Sequence, residues 1–222
     1  MKDVVIAWGE FLFRLRSWTP IPLIVILLLC GSGESPDVLT WVPGITLIVL
    51  GEGLRIWGVA VIGKESRTRG SGTAKLTTSG PYALVRNPLY LGNLLLTLGA
   101  TLISELLWML PIVAALYLIQ YVPIVLWEER NLAQYFGESY AAYCRRVPRW
   151  LPRWPRGGAS EARASYQWRA ALRSERSTLT TLIVLLCLMM AKENLRHVPK
   201  FLEKHGLLPA TKSWWPHHQE TR

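Results

Sequence analysis

Two short stretches carry residue types suited to chemistry: GPYALVRNPLYLGN at 80–93, and the adjacent acids Glu128 and Glu129. In the first, Asn87 followed by Pro88 predicts a helix start. Asparagine accepts a bond from a first-turn amide, and the missing N–H of proline costs nothing at the first helical position. The first-turn amides and the positive end of the dipole would then face the loop, with Arg86 just before and Tyr90 just inside. That is a setting for a carboxylate or phosphate. A capped membrane helix with Arg86 on a lipid headgroup satisfies the same residues. In the second stretch two carboxylates close an apolar helix, where the dipole also favours a cation. A solvated continuation of the helix, with Glu129 paired to nearby arginines, is the plainer alternative.

The elements that must position these residues are membrane helices. Half of the 222 residues are hydrophobic, yet Lys and Arg number 25 against 15 Asp and Glu, a net charge of +10. The apolar residues come in blocks rather than amphipathic stripes, which predicts an all-α, polytopic membrane helix bundle. With basic stretches between apolar runs and no groove-binding or base-stacking motif, the positive charge reads as a match for lipid headgroups rather than nucleic acid. Cys30, Cys144 and Cys187 are far apart and odd in number, so they predict neither a disulfide framework nor a metal site. His217 and His218, in a tail expected to be disordered, lack a partner spacing for a metal.

Taken in order, residues 4–18 mix apolar and charged positions, with Trp8 and Trp18 suited to headgroup depth, and predict an interfacial helix. A first span at 20–30 follows, signal-anchor-like and retained. Residues 38–62 are long enough to cross about 30 Å of hydrocarbon. Glu52 and Arg55 share a face within that span. They are either a functional intramembrane pair or a pair whose arginine snorkels toward the basic loop at 63–86. Residues 89–103 and 106–127 predict a tight helical hairpin. Lys and Arg number three before residue 20, five at 63–87 and ten at 128–177, and the two short loops between have none. That alternation predicts four spans with the N-terminus and both chemical stretches on the cytoplasmic side. The run 178–191 is short and basic on both sides, which favours an interfacial or partly inserted helix over a fifth span.

Because the hairpin brings its two ends to one face, the helix start at Pro88 and the acids at 128–129 should be neighbours. Together they would suit a zwitterion with a further positive charge, and S-adenosylmethionine answers that description. The segment 76–152 resembles the integral-membrane methyltransferases that include isoprenylcysteine carboxyl methyltransferase and the phospholipid N-methyltransferases. The resemblance rests on GPYALVRNPLYLGN and on Glu128, Glu129, Leu132, Phe136, Gly137, Tyr140, Tyr143, Val147 and Pro148. It implies a division into 1–75 (interfacial helix and two spans), 76–156 (methyltransferase core) and 157–222 (basic linker, apolar helix and tail). It also implies that Tyr82, Arg86, Asn87, Tyr90 and Gly92 line a cytosol-facing cofactor site, with Glu128 or Glu129 on the amino group of S-adenosylmethionine. Arg146 matches an arginine near the acceptor, which would be a lipid-like or prenylated molecule entering from the membrane lipids.

Asn87 stands where many members of that family have histidine, which makes base catalysis from this position unexpected. In-line transfer needs the nucleophile held behind the methyl carbon with water excluded. A carboxylate or thiolate acceptor needs no base, whereas an amine would need Glu129 or a tyrosine to take its proton. Two other readings use the same residues. The first is an NADPH-dependent reductase of the membrane sterol type, although Leu89 and Asn93 depart from its pattern. The second is a non-catalytic membrane scaffold.

Overall fold

In apolar surroundings every backbone N–H and C=O must be satisfied within its own segment, so uninterrupted apolar runs have little choice but to form helices. The computed structural model describes residues 2–30, 37–62, 76–153 and 166–204. Among these, eight α-helices occur: α1 (Lys2–Leu15), α2 (Pro20–Cys30), α3 (Val38–Ile62), α4 (Pro88–Ile103), α5 (Leu110–Phe136), α6 (Glu138–Arg146), α7 (Trp168–Ser174) and α8 (Arg176–Lys204). Short 3₁₀ turns at Gly80–Ala83 and Leu107–Met109 lead into α4 and α5. Most of the basic loop at 63–86, the linker after Arg153 and the tail with its two histidines lie outside the described residues.

The α3 helix and the continuous helix 107–136 are long and apolar enough to cross a membrane. The bent pairs α1–α2 and α7–α8, each counted as one broken span, raise the number to four. The α4 helix is a shorter apolar element of 16 residues. The tightest pairing joins α3 to α4. Glycines on both helices make it possible: a Cβ on Gly99 would lie 2.6 Å from the Gly44 carbonyl oxygen, and one on Gly92 would lie 2.7 Å from that of Gly51. Small residues at such a crossing let backbones approach where no hydrophobic drive separates helix from lipid. Gly99→Val should therefore lower the melting midpoint, with a loss of about 1–3 kcal/mol from overpacking against backbone that cannot move aside.

Two elements show packing that the sequence expectation did not include. The α1 helix packs along α5 as well as presenting Val4, Trp8 and Phe11 outward. Its buried Gly9 allows this, since a Cβ there would fall 2.2 Å from the Pro123 carbonyl oxygen. The run 178–191 lies within a helix of 29 residues, longer than the apolar run itself. Leu185 and Met189 of α8 share a core with Leu27 of α2, Ile48 of α3, and Ala100 and Ile103 of α4. Of the charges flanking the run, Lys192 donates to the Leu28 carbonyl at 2.6 Å and to that of Leu29 at 3.3 Å, capping α2. At the loop end of the hairpin, Glu105 adopts a positive φ of 61°. Its carboxylate accepts the Asp37 amide at 3.0 Å, which ties the turn to the start of α3.

Candidate active site

The α4 helix begins at Pro88, preceded by Asn87 at the cap position, as the Asn-Pro pair requires. The side chain of Asn87 does not cap it. It donates instead to the carbonyl of Arg149 at 3.3 Å. The reason lies in a distant segment that covers the loop: Arg86 N–H donates to the Pro148 carbonyl at 2.9 Å, and Arg153 N–H to that of Leu84 at 3.0 Å. Trp150 of this segment packs on a tyrosine cluster formed by Tyr90, Tyr117 and Tyr121.

The two chemical stretches meet. Tyr90 donates its hydroxyl to Glu128 Oε2 at 2.9 Å. Arg86 Nη1 lies 3.4 Å from Glu129 Oε1 and donates to Cys144 Sγ at 2.8 Å. Glu129 also takes a fork of hydrogen bonds from Arg149, Nε at 3.1 Å to each oxygen and Nη2 at 2.8 Å. The planar guanidinium is built for this two-pronged grip on a carboxylate. The hydrogen bonds that Arg149 donates to Glu129 accordingly hold its guanidinium above its ordinary pKa. The neighbouring acids thus have different partners: Glu129 is clasped by two arginines, and Glu128 is met by a phenol. Arg86 retains a buried Nε with no hydrogen-bond partner among the described residues.

Tyr82 is buried where its hydroxyl oxygen would lie 3.5 Å from a Cβ on Gly58, and its carbonyl accepts the Tyr143 hydroxyl at 2.8 Å. Gly92 faces α3 rather than the polar cluster, with the Arg55 stem lying across it. Arg146 lies on the exposed side of α6, its Nε donating to its own helix at the Ala142 carbonyl. The resemblance points to Arg146 of the RRVP segment, whereas Arg149, three residues on, is the arginine that reaches Glu129. The signal that separates them is the helix end at Val147, beyond which the chain turns back over the loop. Arg55 does not snorkel. It turns inward to Glu52, Asn93 and Glu175.

Burial pushes the Tyr140 phenol well above its ordinary value of 10.0, and the charge of Glu129 adds to the effect. Tyr143 moves the same way for the same first reason, only partly opposed by Arg86. The folded state therefore holds these protons more tightly than the unfolded chain does. Their contribution is complete below the unfolded value of about 10 and is lost as pH rises from there toward the higher folded value. Thermal stability should be insensitive to these two groups from neutral pH to about 10 and fall above it. Tyrosinate absorbance from Tyr140 and Tyr143 should then appear together with helix loss, as read by parallel ultraviolet and circular-dichroism titrations.

Residues 39–139 match the family model for phospholipid methyltransferase. The chain is 36% identical over 125 residues to the cobalt-zinc-cadmium resistance protein CzcN of Cupriavidus metallidurans, covering 55% of this chain and 53% of that protein. It is 31% identical over 117 residues to protein-S-isoprenylcysteine O-methyltransferase B of Arabidopsis thaliana, covering 49% of this chain and 57% of that one. The human protein-S-isoprenylcysteine O-methyltransferase is 31% identical over 129 residues, covering 51% of this chain and 42% of its own length. The chain thus spans roughly half the length of these relatives. No solved structure gives a significant match.

Proposed function

We propose, for a chain that belongs over residues 39–139 to the phospholipid methyltransferase family, that it transfers a methyl group from S-adenosylmethionine to a membrane-embedded lipid or lipid-like acceptor. When bound, S-adenosylmethionine supplies an electrophilic methyl on a sulfonium, with a carboxylate and an ammonium as handles. The residues present fit those handles. Arg86 keeps an unmet buried donor beside the α4 start, where the helix dipole favours an anion. Glu128, oriented by Tyr90, is the acid for the ammonium. Glu129, occupied by Arg86 and Arg149, is assigned to positioning rather than to cofactor contact or proton removal.

The observation that carries this reading is the meeting of the helix start and the acid pair, 38 residues apart in sequence, through the Tyr90–Glu128 hydrogen bond. In this assignment the chain acts by placement. Arg86 and Glu128 fix the two handles, and the segment at 147–153 with Trp150 keeps water from the cluster. Arg149, next to the acid pair, is better placed than Arg146 to orient an anionic acceptor. The site is assigned to the cytoplasmic face by the charge count, and a prenylated carboxylate or a lipid amine would reach it from the bilayer.

The test is to incubate the purified protein with total lipid extract and a donor bearing a deuterated methyl group, then to analyse the lipids by mass spectrometry. Acceptor species shifted by one labelled methyl are expected. Protection of the protein by NADPH, with no labelling and no effect of S-adenosylmethionine on its melting, would favour the reductase reading instead.

A further inference from the structure

Outside this site lies a second buried polar cluster that joins α3, α4 and the bend between α7 and α8. Glu175 stands at that bend, where the two helices turn by 53°. Its side chain is 3% exposed, and its Oε2 accepts from Arg55 Nη2 and, at 3.3 Å, from the Thr178 hydroxyl. Arg55 Nη1 donates to Asn93 Oδ1, and its Nε lies 3.3 Å from Glu52 Oε2. One guanidinium thus binds two acids and an amide in apolar surroundings. Such groups have few alternative partners there, so they hold their geometry.

The cluster meets the site along α4, which carries both Asn93 and Tyr90. The Tyr90 ring packs on that of Tyr121 at 5.2 Å, which in turn stacks on Tyr117 at 4.2 Å. Tyr117 donates its hydroxyl to the Tyr90 carbonyl, and the Tyr90 hydroxyl donates to Glu128. Asn93 also follows Tyr90 by one turn on the same helix. Between them, Gly92 lets the stem of Arg55 lie flat on α4, since a Cβ there would be 2.6 Å from Arg55 Cγ.

We infer that Glu175 is a positioning residue for the Tyr90–Glu128 pair. It lies beyond the segment that matches the family model, and it acts through Arg55 and Asn93. Its meaning for catalysis rests on the function proposed above, whereas the coupling itself does not. The C-terminal helices are then part of the working unit rather than an appendage, because α7–α8 hold one end of the linkage that sets the cofactor acid.

The test uses the full chain in lipid nanodiscs with 3-fluorotyrosine at position 90, whose ¹⁹F resonance reports the hydrogen bond to Glu128. Glu175→Gln should move or broaden that resonance toward the one seen in Glu128→Gln. It should also weaken S-adenosylmethionine binding about tenfold, a typical coupling between linked sites. Arg55→Lys serves as a second variant if Glu175→Gln fails to fold, and Glu175→Asp should restore much of the wild-type resonance. Lys192→Gln loosens α8 at its other end and should leave the signal in place. An unmoved resonance in both Glu175→Gln and Arg55→Lys overturns the inference, as does an equal shift in Lys192→Gln. If the wild type does not bind S-adenosylmethionine, the proposed function fails, while the resonance still decides the coupling.

Discussion

Glu129→Gln is expected to destabilise the protein by about 3 kcal/mol, because it leaves two arginines facing each other without their shared acid. Arg86 is only 13% exposed and cannot recover its hydration; Arg149, at 38%, can do so in part, which keeps the figure at the lower end for a broken buried pair. The lost fork would also release the segment at 147–153 from α5, so Trp150 fluorescence should move toward that of solvated tryptophan. Adding Arg149→Met should recover part of the loss, since an apolar side chain carries no charge to strand. Thermal melts of the three variants in one detergent measure all of this. A melt of Glu129→Gln that matches the wild type would show that the double clasp contributes nothing.

Glu128→Gln should instead act chiefly on binding, weakening S-adenosylmethionine affinity about a hundredfold. Tyr90 can still donate to the amide oxygen of the new side chain, so folding keeps its hydrogen bond. What is lost is the charge opposite an ammonium, and removing one partner of a hydrogen-bonded charge pair in a desolvated site costs about 2–5 kcal/mol. Tyr90→Phe should give a smaller loss, because the acid remains and only its orientation relaxes. Calorimetric titration of the three proteins separates these outcomes. Should Glu129→Gln lose affinity while Glu128→Gln keeps it, the assignment of the two acids is reversed.

The contrast between these acids also marks how far the sequence could be read. The start of α4 was legible because asparagine before proline leaves the backbone few choices. The proximity of Tyr90 to Glu128 followed from a hairpin too short to do anything but return. The division of labour between Glu128 and Glu129 was not legible. It depends on Arg149, and adjacent acids at a helix end look alike until a later segment folds over one of them. The same segment drew the Asn87 side chain away from its own helix to the Arg149 carbonyl.

The membrane pair at Glu52 and Arg55 was visible as a pair, but its third member was not. Glu175 lies 120 residues from Arg55, in a stretch whose charges made the following helix read as interfacial. Local hydropathy treats each charge as a cost. In the folded chain Lys192 caps α2 and Glu175 neutralises Arg55, and the run 178–191 lies within a 29-residue helix whose Leu185 and Met189 join the core. Arg146 and Arg149 show the same limit on a smaller scale. Three residues separate an arginine directed to its own helix from one that grips an acid, and the break at Val147 decides which is which.

Ultraviolet cross-linking with methyl-labelled S-adenosylmethionine, followed by peptide mapping, tests most directly whether the start of α4 and the end of α5 together form the donor site. Label confined to peptides from 82–93 and 128–150, abolished by excess unlabelled donor and strongly reduced in Glu128→Gln, is the predicted result. Saturable labelling on the far end of the hairpin or on α8 alone, with those two stretches unmarked, would contradict it.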